Sequence, residues 1–199
     1  MLNDEVRSSL HPGLMRIASA VPLVLACACA QAQPHPDSCQ QQIPRSLADA
    51  ADAAFPGYRT PLETDNAPDD IRNSLAHGGS ACLGVAAGDF NGDGKKQYLL
   101  GLTARKGSAG LAVIALPHRG GWHFQKIPSG SEAARFQQYV RIGEPGKYSR
   151  SGSAAAPSRP GERAQLECRH AVALVGTIDA AGMAYCFEQG QWLHVLVSP

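Results

Sequence analysis

The segment Asp89-Phe90-Asn91-Gly92-Asp93-Gly94-Lys95-Lys96-Gln97 concentrates oxygen-bearing side chains at alternate positions. Asp89, Asn91 and Asp93 stand at relative positions 1, 3 and 5, and a glycine follows at 6. Calcium takes six to eight hard oxygens at about 2.3–2.6 Å, and a tight loop can turn alternate side chains inward together. The Lys95 carbonyl falls at position 7 and the Gln97 amide oxygen at position 9. The candidate metal set is therefore Asp89, Asn91, Asp93, Lys95 and Gln97, with Ca2+ as the implied ion. Position 12, where an EF-hand carries a bidentate Glu, is Leu100, and the flanking segments read as strands rather than helices. Only two carboxylates face the ion, and Lys95 and Lys96 sit beside them, so the expected Kd is of order 10⁻⁴–10⁻³ M. The same residues also suit a metal-free hairpin loop held by Asx-type bonds from side chain to backbone.

Other reactive residue types are dispersed. The histidines, His11, His35, His77, His118, His123, His170 and His194, form neither a close pair nor an H-E-x-x-H motif. Gly107-Ser108-Ala109-Gly110 and Gly78-Gly79-Ser80-Ala81-Cys82 both miss the G-x-S-x-G spacing of a nucleophile elbow. No Walker or dinucleotide-binding glycine pattern occurs, so no catalytic set is assigned. Asp69 and Asp70 read as first-turn helix charges. Trp122, Phe124, Tyr185 and Trp192 read as sheet-packing residues, with an exposed aromatic patch as the alternative.

Composition and address bound the setting of this chemistry. The 199 residues are 44% hydrophobic and 18% charged, with a formal net charge of +1, which speaks against a nucleic-acid partner. No apolar run reaches the roughly 20 residues of a transmembrane span. Residues 1–32 read as a secretory signal peptide. Arg7, His11 and Arg16 precede the apolar stretch Ile17 to Ala30, and Ala30-Gln31-Ala32 is an A-x-A cleavage site. Met1 or Met15 serves as the start. Val24-Leu25-Ala26-Cys27 loosely matches a lipobox, so a lipid anchor at Cys27 is the alternative to a free periplasmic or secreted protein. Beyond the signal remain Cys39, Cys82, Cys168 and Cys186, an even set that implies two disulfides with three possible connectivities. Their spacing lacks the tight pairs of a zinc site. Charge is uneven: residues 33–94 carry nine Asp/Glu against three Lys/Arg, and residues 95–199 thirteen Lys/Arg against six Asp/Glu. Either the acidic helical part docks on the basic sheet part, or the dipolar surface steers a charged partner.

The loop must be carried by the elements around it. Residues 33–44 read as a flexible leader with Pro34, Pro36 and Pro44. A helix is expected over Leu47–Phe55 with Ser46 as cap, and a second over Asn66–Ala76 with Asn66 as cap and Ile71 and Leu75 on one side. Short apolar runs then predict strands at Cys82–Phe90, Gln97–Thr103, Leu111–Pro117, Trp122–Ile127 and 132–142. Residues 150–163, rich in Ser, Ala, Gly and Pro, read as a mobile loop. Three strands follow at Gln165–Thr177, Met183–Glu188 and Trp192–Val197. No internal repeat of 20–50 residues occurs, which excludes a propeller in one chain. The expected fold class is α+β: a single domain over 45–199, with one or two short N-terminal helices packed on a mainly antiparallel twisted sheet.

Gly88 to Lys95, followed by Tyr98-Leu99-Leu100, resembles the FG-GAP or VCBS-type repeat of exported proteins, over residues 82–102. The resemblance implies a loop joining two strands whose acidic residues bind calcium. The family usually carries Asp at position 9, where this chain has Gln97. The wider layout also resembles small exported bacterial proteins with a single DxNxDG motif. Taken together, these features point to an exported, disulfide-stabilised, non-enzymatic binding or interaction protein with a structural calcium loop and an envelope protein as partner. The alternatives are an envelope inhibitor or immunity-type protein, or an exported hydrolase whose site is assembled from distant residues.

Overall fold

The computed structural model describes residues 36–127, 138–152, 160–178 and 180–197. The expected signal peptide with Cys27, the first part of the expected leader, positions 132–137 of the expected strand over 132–142 and positions 153–159 of the expected mobile loop lie outside the described residues. All elements named below belong to the unit His35–Pro199. The chain begins with α1 (Ser38–Gln42), α2 (Arg45–Ala54), β1 (Tyr58–Arg59), a 3-10 turn at Glu63–Asp65, and α3 (Pro68–Ala76). The strands β2 (Val85–Gly88), β3 (Gln97–Ala104), β4 (Gly110–His118) and β5 (Gly121–Lys126) follow. Next come β6 (Gln138–Gly143), β7 (Gly146–Ser149), β8 (Gln165–Cys168), β9 (Val172–Thr177), β10 (Gly182–Glu188) and β11 (Gln191–Val197).

The strands form three antiparallel sheets. One has five strands in the order β1-β3-β4-β5, with β2 also paired to β3. A second runs β11-β10-β9-β6, and β7 and β8 form a two-stranded ribbon. The alternation of side chains along each strand sorts them into layers. Leu99, Ala112 and Ile114 of the first sheet meet Val140, Ala173, Val175, Met183, Tyr185 and Leu196 of the second, with Phe90 between them. On the other face of the first sheet, Tyr98, Leu100, Leu102, Val113 and Ala115 pack under Cys39, Ile43 and Leu47. On the outer face of the second sheet, Val172, Leu174, Ala184, Cys186 and Val195 pack under Leu166 and Cys168. The layers are therefore helix, sheet, sheet and ribbon. The two large sheets also meet along one side, where the Val140 N–H donates to the Leu83 carbonyl at 2.8 Å.

This corrects the α+β expectation. The chain is mainly β, with its principal core between two sheets rather than between helices and one sheet. The helices are minor: α2 buries only Leu47 and Ala51, and α3 buries nothing, its Leu75 being 53% exposed. Consecutive strands with short turns were expected to share one sheet, but period-two patterning reports faces, not which strands pair. A clue lay in β3, where Tyr98-Leu99-Leu100-Gly101-Leu102 is a continuous apolar run and the strand is buried at seven of eight positions. A strand of that kind must be covered on both sides.

Local differences have similar causes. Ser46 does not cap α2, which follows Pro44, because Pro already fixes the required φ; its Oγ accepts from Trp122 Nε1 at 3.4 Å. Asn66 does not cap α3; its side-chain amide donates to the Gln138 carbonyl at 3.1 Å. The stretch read as leader contains α1, capped by Asp37, whose Oδ1 accepts from the Cys39 and Gln40 N–H groups at 2.9 and 3.1 Å. The expected strand over 165–177 is two strands, β8 and β9, in different sheets, and β7 was not anticipated. The ends of the loop over 150–163 are tied by the Arg150–Glu162 ion pair and by an Arg150 N–H bond to the Ala164 carbonyl. The acidic helical part does reach the basic strands, through Asp52 and Arg105 at 3.1 Å.

Two disulfides fasten outer layers to sheets. Cys39–Cys82 joins α1 to the segment entering β2, and Cys168–Cys186 joins the ribbon to β10. Their sequence separations of 43 and 18 residues correspond to loop-closure stabilisations of about 4 and about 3 kcal/mol. A Cys39→Ala/Cys82→Ala variant is expected to melt roughly 8–16 °C below the wild type, and Cys168→Ala/Cys186→Ala to lose less; calorimetry under non-oxidising and non-reducing buffer checks the order.

A partly buried ion pair locks β1 onto β3. Arg59 grips the Asp65 carboxylate with two nitrogens, and Thr103 Oγ1 and the Leu62 N–H also donate to it, each at 2.9 Å. Burial alone raises the Asp65 pKa, but hydrogen bonds from Arg59, Leu62 and Thr103, with the Arg59 charge, hold it below the ordinary carboxylate value. A depressed folded-state pKa stabilises the fold above the unfolded value, and that contribution is lost as pH falls through the folded value. Asp65→Asn is expected to cost about 2–3 kcal/mol at pH 7, with the gap to the wild type closing below pH of about 4. Urea titrations across pH 2–7 measure it.

Candidate functional site

The candidate site is the turn between β2 and β3, which pair antiparallel from Gly88↔Gln97 to Val85↔Leu100. All of the expected side-chain ligands are brought together there. Two glycines shape the turn: Gly92 at φ +74° and Gly94 at φ +76°, in the left-handed region that side chains disfavour. Phe90, 0% exposed, anchors the turn in the core between the large sheets.

The oxygens of the turn point at donors. Asp89 Oδ1 accepts from the N–H groups of Gly92 and Asp93 at 2.8 and 3.1 Å, and its Oδ2 from Gly94 at 3.0 Å. Asn91 Oδ1 accepts from the Asp93 N–H at 3.1 Å, and Asp93 Oδ1 from the Lys95 N–H at 2.9 Å. Lys95 Nζ lies 3.7 Å from Asp93 Oδ2. The Lys95 N–H lowers the Asp93 pKa; desolvation opposes it, and the Lys95 charge with hydrogen bonds from Asn91 and Gln97 adds to the lowering.

Gln97 faces the turn with its nitrogen. Its Nε2 donates to Asn91 Oδ1 and, at 3.2 Å, to Asp93 Oδ1, while its Oε1 accepts from the Phe90 N–H at 3.1 Å. The expected ligand atom at position 9 is thus turned away. In this arrangement the donor set does not fit a divalent cation, which needs converging oxygens rather than an N–H group among them. Among the described residues no group of three or more His, Cys, Asp or Glu side chains is placed to hold a metal ion.

Sequence reasoning missed how the turn meets the rest of the molecule. The Ala171 N–H donates to the Asp89 carbonyl at 3.3 Å, so the segment between β8 and β9 closes on it. The His170 ring lies on Gly92 so closely that a Cβ there would stand 2.2 Å from Cε1. His170 carried no local signal, because a long-range packing partner leaves none in spacing. Comparison with family models, with curated proteins and with solved structures finds no match for the chain.

Gly92→Ala is expected to destabilise by about 2 kcal/mol through positive φ and the His170 contact. In a His170→Ala background the same change is expected to cost only about 1 kcal/mol, the backbone share alone. A double-mutant cycle by urea denaturation measures the difference.

Proposed function

We propose that this chain is an exported, disulfide-stabilised, non-enzymatic binding protein whose partner is an envelope protein with an acidic, partly apolar surface. The observation that carries the reading is an aromatic strip along β5. Phe55 packs edge-on to Phe124 with ring centroids 5.4 Å apart, and Tyr98 packs edge-on to Trp122 at 5.6 Å. Phe55, at the end of α2, and Trp122 and Phe124 of β5 remain only partly buried. Lys126 sits 5.8 Å over Phe55, and Lys96 sits 5.4 Å over Tyr98.

Partly wet aromatics rimmed by cations combine the two ingredients of a recognition surface: rigid apolar area, and charge that steers a complementary partner. Export is supported by the two disulfides, which persist in oxidising compartments. Among the described residues no helix is long and apolar enough to cross a membrane. A periplasmic or secreted protein fits these features, and a form anchored through Cys27 remains the alternative. The resemblance of the β2–β3 turn to FG-GAP or VCBS-type loops is part of the same proposal.

The test is affinity capture from envelope extract with the full chain, run beside a Lys96→Glu/Lys126→Glu variant that keeps the aromatic packing. The wild type is expected to retain a stoichiometric envelope protein, and the variant to hold it at least about tenfold more weakly, equivalent to some 1.4 kcal/mol. Capture of no partner, or equal capture by both, overturns the proposal.

A further inference from the structure

We propose that the carboxamide of Gln97 takes the place of the cation in the β2–β3 turn, so that the chain closes this loop with its own side chain. The turn then works as a metal-independent clasp between the two large sheets.

Gln97 is 0% exposed at the first position of β3. One NH2 group has two hydrogens, and here it faces two oxygens, Asn91 Oδ1 and Asp93 Oδ1. These are the side-chain oxygens at positions 3 and 5 of a calcium-type loop. The orientation of the amide is fixed by its other end. The buried Phe90 N–H needs an acceptor and finds Gln97 Oε1 at 3.1 Å. Turning the amide over would set N–H against N–H at Phe90 and oxygen against oxygen at Asn91 and Asp93. The remaining charge is also answered without an ion. Both Asp89 oxygens serve backbone N–H groups of the turn, and Lys95 stands beside Asp93.

The clasp has two jaws. Phe90 and Gln97 hold the turn to the first sheet, and Ala171 and His170 hold it to the loop that leads into β9 of the second. Because the group filling the centre is covalently part of β3, the closure does not depend on calcium concentration. Gln97→Asp removes both donors and gathers three carboxylates, a set that repels itself until a cation enters.

The experiment is thermal melting of the full chain in EDTA, in calcium and in magnesium, together with NMR of the Gln97 side-chain amide. The wild type is expected to melt within about 1 °C in all three buffers, with its Gln97 amide protons slow to exchange and unmoved by calcium. Gln97→Asp is expected to melt lower in EDTA and to regain roughly 5–10 °C at calcium about 100-fold above its Kd, with less from magnesium. A saturable rise of several degrees for the wild type in calcium, or calcium-dependent movement of its Gln97 amide resonances, overturns the proposal. Should Gln97→Asp not fold, the two wild-type measurements decide alone. Neither depends on the interaction surface along β5, so the two proposals stand or fall separately.

Discussion

Burial of β3 on both faces is the constraint from which the rest of the architecture follows. Leu99 points into the core between the large sheets, and Tyr98, Leu100 and Leu102 point under the helices. A strand buried on both faces, with its polar Gln97 and Thr103 hydrogen-bonded within the chain, is stable only where a layer covers each side, so one sheet and a helical cap are both obligatory. β2 and β4 flank it, β1 pairs with its far end, and the β2–β3 turn is tied to its first residue, Gln97. Displacing β3 by one residue would exchange its two sets of side chains between layers and break every one of these relations.

The outer layers are small, and each is fastened by a covalent or ionic link rather than by area. A five-residue helix buries Cys39, and the disulfide to Cys82 supplies what its apolar surface cannot. The ribbon of β7 and β8 is held to β10 in the same way through Cys168–Cys186. Where no disulfide reaches, Arg59 and Asp65 form a partly buried, multiply hydrogen-bonded pair at the β1 end of β3. The β2–β3 turn fits the same pattern, as a short segment whose polar groups are matched within the chain.

Much of the local structure was legible in the sequence. The strands around Gln97–Thr103, Leu111–Pro117 and Met183–Glu188 are recovered within a residue or so by β3, β4 and β10, because apolar patterning is a local property. The even cysteine count implied two bridges, yet their pairing needed the fold, since three connectivities satisfy the same count. The fold class was misread because the split of consecutive strands into separate sheets is decided by long-range pairing, such as β6 with β9. The loop is legible from the spacing of Asp89, Asn91 and Asp93 with the glycine at Gly94. The direction of the Gln97 amide was not legible, because it depends on the Phe90 N–H, a backbone group whose demand appears only once β2 and β3 are paired. His170 on Gly92 was invisible for the same reason.

The clasp is probed most directly by amide hydrogen exchange in EDTA at two N–H groups: Phe90, which donates to Gln97, and Ala171, which donates to Asp89. If Gln97 closes the turn unaided, the Phe90 amide exchanges as slowly as core amides of β3 such as Leu100, the Ala171 amide is clearly protected, and calcium changes neither rate. Fast exchange at both sites in EDTA, slowed only when calcium is added, would contradict a loop closed by its own amide.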